Sequence, residues 1–157
     1  MKKLILTGLL SAGLLFAYNP LEGVKAQKQE ALKIVGNHFV DVKTIKKWMA
    51  EDREFEIIDV REPAEFLAGH IDYIETLLVP RGVLYSAVKK GRIKPNKTYV
   101  VVCRTGHRAL LATATLMKWY KFKNTYVLKG GIKAWIQDGG IIENALNLGP
   151  LKVQLVK

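Results

Sequence analysis

Short apolar blocks alternate with amphipathic stretches from about Glu30 to Gly140. Val42, Ile45 and Trp48/Met49 recur at helical spacing, with Lys43, Lys46 and Lys47 on the other side and Asp41 where a cap is expected. Residues 55–60 read as a buried strand. Pro63 suits the first turn of a short helix through Phe66 and Leu67, which Gly69 ends. A second strand is expected at 77–79, stopped by Pro80, and a short helix at 83–88 before the Pro95-Asn96 turn. Residues 99–102 are apolar and β-branched, as in a strand covered on both faces. Leu110, Ala114 and Met117 then share one helix face. A strand is expected next at 126–128, and Gly130-Gly131 turns the chain into a helix carrying Ile132, Trp135 and Ile136, closed by Gly139-Gly140. Strands alternating with helices predict an α/β fold, a mainly parallel sheet flanked by helices on both faces. Such sheets bind ligands outside the carboxyl ends of their strands, and Cys103 stands at one of those ends.

The two ends of the chain break this alternation. Lys2 and Lys3 precede an apolar run from Leu4 to Phe16, the pattern of a secretory signal peptide over residues 1–17. Cleavage is expected after Ala17, with Ala26 as the alternative site; the competing reading is an uncleaved membrane anchor. Either way the domain lies outside the cytoplasm, and export from a two-membraned cell gives the periplasm. Residues 18–29 carry Asn19-Pro20 and little periodicity, so they are expected to form a mobile leader ahead of a domain over 30–145. The apolar tail, 146–157, packs either on its own domain or on a second copy, which would make a homodimer.

Composition narrows the classes. With 49% apolar and 25% charged residues, the chain is not a disordered one. The formal charge of +11 becomes +9 once Lys2 and Lys3 are removed, which suits anionic substrates. No zinc-finger, RNP or helix-turn-helix pattern is present, so nucleic acid is not an expected partner. His38, His70 and His107 are scattered without metal-ligand spacing, and no metal or organic cofactor is expected.

Cys103 is the single cysteine. Exported proteins tend to use cysteines in pairs, and one cysteine makes no internal bridge. It is an intermolecular link, an inert core residue or a reactive thiol. The residues after it favour the last: Arg104-Thr105-Gly106-His107-Arg108, then a helix. A loop entering a helix N-terminus can aim several backbone N–H groups at one point, where the helix dipole adds positive charge. Gly106 permits the required turn, and Arg104 and Arg108 add full charges. These features favour the thiolate, which is the nucleophile.

Cys103-Arg104-Thr105-Gly106-His107-Arg108 resembles the six-residue active loop of rhodanese-type sulfurtransferases. Ile57-Ile58-Asp59-Val60-Arg61-Glu62, with Glu65-Phe66 and Gly69-His70-Ile71, resembles the family's first signature, and Gly130-Gly131-Ile132-Lys133-Ala134-Trp135 its closing one. The resemblance covers about residues 38–140. It implies a single rhodanese-like domain with a five-stranded parallel sheet. It also implies a double displacement in which Cys103 takes sulfane sulfur from thiosulfate or polysulfide as a persulfide. Cyanide, sulfide or another thiol then accepts that sulfur. The loop together with Arg81-Gly82 is also similar to exported polysulfide-sulfur transferases. Related phosphatases and arsenate reductases have a loop longer by one residue, with arginine six positions after the cysteine. Position 109 is alanine here, which argues against that chemistry.

From the resemblance, Arg104, Thr105, Gly106, His107 and Arg108 are expected to cradle the donor, with Arg61 and Arg81 converging from neighbouring strand ends. The competing reading of Arg61 is an ion pair with Glu65, and of Arg81 a plain surface residue. Asp59 either braces the active loop or caps the next turn, and Trp135 is expected in the core. His107 is a proton donor or, the preferred reading, a polar loop residue. Residues 72–76, Asp-Tyr-Ile-Glu-Thr, replace a small-residue turn of the family and put that wall of the site in question. The alternative function is a sulfur carrier that delivers to a partner protein without turnover. An inactive interaction domain is a third reading, against which the retained cysteine argues.

Overall fold

A computed structural model describes residues 20–145. Five strands, β1 (Phe39–Val40), β2 (Glu56–Asp59), β4 (Thr76–Leu78), β5 (Tyr99–Val102) and β6 (Thr125–Leu128), form one sheet in the order β1-β6-β5-β2-β4, with every pairing parallel. β3 (His70–Ile71) pairs antiparallel with β7 (Ile142–Glu143). The helices are α1 (Pro20–Val35), α2 (Val42–Ala50), α3 (Pro63–Ala68), α4 (Leu84–Lys89), α5 (His107–Tyr120) and α6 (Gly131–Gln137); a 3₁₀ turn at Arg81–Val83 leads into α4. None of the described helices is long and apolar enough to cross a membrane.

The two-residue period of a strand divides the core. Ile58, Val101 and Val127 face one side, where they pack with Val35 of α1, Leu84 of α4 and Leu110 and Leu116 of α5. Ile57, Val100, Val102 and Leu128 face the other side, against Ile45 and Trp48 of α2 and Ile132 and Trp135 of α6. Both faces of the sheet are therefore covered, as expected of a parallel sheet with apolar strands. α2 is capped as its sequence predicts: the Asp41 side chain accepts a hydrogen bond from Thr44 N at 2.8 Å.

The leader expected over 18–29 is corrected from Pro20 onward. Pro20 is the first residue of α1, a position where its missing N–H costs nothing. Residues 20–30 are exposed, so they carry no periodic signal; only Ala31, Ile34 and Val35 turn toward the core and join the domain. The segment expected to be a signal peptide, residues 1–17, and the apolar tail expected over 146–157 lie outside the described residues.

Candidate active site

Val102 ends β5, and the next residue, Cys103, is 1% exposed at the carboxyl rim of the sheet. Gly106 caps α5 with φ +96°, a left-handed conformation that favours glycine. That turn folds the loop back over the sulfur. The backbone N–H of Gly106 donates to Cys103 Sγ at 3.2 Å, and that of Ala109 at 3.4 Å. Ala109 lies in the first turn of α5, where amides have no acceptor inside the helix.

A second helix start holds the loop from the other side. Ile132 N donates to Cys103 O at 2.9 Å and Lys133 N to Arg104 O at 3.1 Å. This approach requires Gly131: its φ is +61°, and a Cβ there would lie 2.2 Å from Cys103 O. The loop is thus gripped between two helix N-termini, α5 on the sulfur and α6 on the carbonyl oxygens. Trp135, one turn on, is buried in the core, as its sequence context suggests.

The four arginines expected to converge are held in different ways. Arg61 is 5% exposed; its guanidinium binds both carboxylate oxygens of Asp59 and donates to Gly69 O at 2.7 Å. It is an internal strut, and its partner is Asp59, not Glu65. Asp59 also accepts from Arg61 N at 3.1 Å, so it caps the turn after β2 and makes no bond to the Cys103 loop.

Glu65 instead forms a two-pronged ion pair with Arg108, both contacts at 2.6 Å. Arg104 is exposed and makes no side-chain hydrogen bond or ion pair among the described residues. Thr105 Oγ1 and His107 Nδ1 lie 3.2 Å apart on the exposed side of the loop. Arg81 fixes its backbone to the rim through Val60 O at 3.2 Å, but its side chain lines a separate groove between α1 and α5.

Residues 72–76 do not line the site. Thr76 pairs with Ile57 near the start of β2, and Tyr73 stacks on Phe55, so the segment lies at the opposite, amino end of the sheet. The family departure there leaves the wall around Cys103 untouched.

Glu65 is the site residue whose role the sequence hid, because its partner is 43 positions away. Hydrogen bonds from Arg108 hold its carboxyl down to about 2, outweighing the opposing effect of partial burial. A carboxyl lowered from 4.5 in this way stabilises the fold above pH 4.5, and that stabilisation is lost as pH falls toward 2. Glu65→Gln is expected to cost about 1 kcal/mol at pH 7, since the pair is well aligned but partly exposed. The difference from wild type should shrink in urea unfolding at pH 3; an equal difference at both pH values would refute the pair's contribution.

A family model described as a rhodanese-like domain matches residues 41–138. The probable adenylyltransferase/sulfurtransferase MoeZ of Mycobacterium tuberculosis is 30% identical over 77% of this chain, which spans only 30% of that protein's length. A sulfurtransferase of Allochromatium vinosum is 28% identical, covering 64% of this chain and 89% of its own. Among solved structures, the polysulfide-sulfur transferase homodimer from Wolinella succinogenes is 32% identical over 78% of this chain and 85% of that one, with a TM-score of 0.59.

Proposed function

Because the chain belongs to the rhodanese-like domain family, we propose that it is a sulfurtransferase that carries sulfane sulfur on Cys103, with polysulfide as the preferred donor and thiosulfate as the second. The observation that carries this reading is the aim of the Gly106 and Ala109 amides at Cys103 Sγ. In the first step the Cys103 thiolate attacks the outer sulfur of the donor. A Cys103–sulfur bond forms as the donor's S–S bond breaks, and the electron pair leaves with sulfite or with a polysulfide one atom shorter. Negative charge on the bound sulfur meets N–H groups already fixed in place, with no rearrangement needed at the moment of transfer. In the second step a thiol, sulfide or cyanide attacks the outer sulfur, and Cys103 leaves as thiolate. Splitting transfer this way is covalent catalysis that needs only the one nucleophile.

The similarity to the Wolinella succinogenes protein, over most of both chains, supports polysulfide as donor. The exposed, unpaired Arg104 beside the loop is the charge available to meet an anionic donor, because Arg108 is held by Glu65. Export to the periplasm, expected from residues 1–17, belongs to the same proposal.

Mass spectrometry of the purified protein tests it. After exposure to polysulfide or thiosulfate, the chain is expected to gain whole sulfur atoms, and adding cyanide or a thiol should remove them. No gain from either donor would sink the proposal. Multiple turnovers with small acceptors distinguish an enzyme from a carrier that hands sulfur only to a protein.

A further inference from the structure

The Cys103 loop carries two guanidinium groups in unlike states. Arg104 is exposed and has no side-chain partner among the described residues. Arg108 stands in the first turn of α5, next to Ala109, whose N–H donates to Cys103 Sγ. The Glu65 hydrogen bonds first, and then the negative charges of Glu65 and Cys103, hold Arg108 more firmly protonated, against the opposing effect of burial. Its guanidinium therefore lies within electrostatic reach of the sulfur. Both of its terminal nitrogens are nevertheless engaged by Glu65, at 2.6 Å each. Glu65 does not simply follow its partner. Its Oε2 also accepts the backbone N–H of Glu62 at 3.2 Å, at the start of α3, so its own helix fixes the carboxylate.

This clamp bears differently on two kinds of sulfur donor. Thiosulfate, and the sulfite it leaves behind, carry charge on oxygens, which a guanidinium fork binds through two parallel N–H···O bonds. Polysulfide carries its charge on sulfur alone, a weak hydrogen-bond acceptor that gains little from such a fork. Occupying the fork of Arg108 with an internal carboxylate therefore costs the oxyanion more than it costs the chain of sulfurs.

We propose that Glu65 is a positioning residue that sets donor specificity: by occupying Arg108 it turns the Cys103 site away from oxyanion donors and toward polysulfide. The inference rests on the reading of Cys103 as the sulfur acceptor and deepens it by naming what selects the donor.

Steady-state transfer to cyanide by the full chain, with thiosulfate and polysulfide compared as donors, tests the proposal. Glu65→Gln is expected to raise the ratio of kcat/KM for thiosulfate to that for polysulfide about fivefold, through a lower thiosulfate KM, the scale of a charged pair discounted for partial exposure. Inhibition by sulfate, an oxyanion with no sulfur to transfer, should tighten by a similar factor. The double variant Glu65→Gln/Arg108→Gln should lose both gains, because they run through the released guanidinium. A merely structural role for Glu65 would lower the use of both donors together and leave their ratio and the sulfate inhibition in place; that result would overturn the proposal, as would a ratio that stays raised in the double variant. Wild-type protein that takes sulfur from neither donor would remove the reading of Cys103, and this inference with it. Wild-type transfer with no change of ratio in Glu65→Gln would remove the inference alone.

Discussion

Cys103→Ser is expected to give a folded protein that takes up no sulfur. Serine is nearly the same size, and its oxygen can accept the Gly106 and Ala109 amides that now point at Sγ. The stability cost should therefore be about 1 kcal/mol, the scale of one altered hydrogen bond. Activity depends on something the substitution does remove. A neutral hydroxyl is a poor nucleophile toward sulfur, and among the described residues only the Gly106 and Ala109 amides, which are not bases, hydrogen-bond to this side chain. Loss of the nucleophile in a covalent mechanism lowers turnover by about 10⁵-fold or more. The checks are intact-mass analysis after polysulfide treatment and steady-state transfer to cyanide, with urea unfolding alongside. Sulfur bound covalently to the variant would mean that Cys103 is not the acceptor atom. A large loss of stability would mean that the loop's shape depends on the sulfur itself.

The largest stability effect is expected at Asp59, which never touches the sulfur. Asp59 and Arg61 are 2% and 5% exposed and hold each other through three side-chain contacts of 2.6–3.0 Å. Removing one member of a buried pair leaves the other charge stranded, which costs about 3–5 kcal/mol. Asp59→Ala should fall in that range by urea unfolding. Asp59→Ala combined with Arg61→Met should recover much of the loss, because an apolar pair of similar volume needs no solvation. A single-variant loss below about 1 kcal/mol would show the pair to be solvated in practice.

The effect should also reach the active loop. No side chain of α3 is buried, so polar contacts hold that helix: Arg61 to Gly69 O at its end and Glu65 to Arg108 in its middle. Losing the Arg61 strut loosens the helix that positions Arg108.

Some of this arrangement was legible in the sequence. Residues 99–102 announced a central strand because every side chain there is apolar and both faces are buried. Gly106 and Gly130-Gly131 announced the two helix starts because left-handed backbone strongly favours glycine. α1 was hidden because a helix that buries only its last turn leaves no stripe to read, and β1, β3 and β7 because two residues cannot display a period.

The arginine partners were hidden for a different reason. Four-residue spacing suggested Arg61 with Glu65, which requires both residues on one helix. Arg61 instead lies at a bend between β2 and α3, where its backbone N–H and its guanidinium both reach the Asp59 carboxylate. The Glu65–Arg108 pair joins segments brought together only by the sheet, and no local pattern encodes it.

The segment at 72–76 carries a practical consequence. Ile74 is 93% exposed and sits beyond the amino ends of the strands, with the full length of the sheet between it and Cys103. The chain can be lengthened or labelled there without disturbing a strand, a helix cap or the sulfur. For an engineer, this is the natural place to tether the protein to a surface or to splice in a reporter while leaving the reactive rim facing solution.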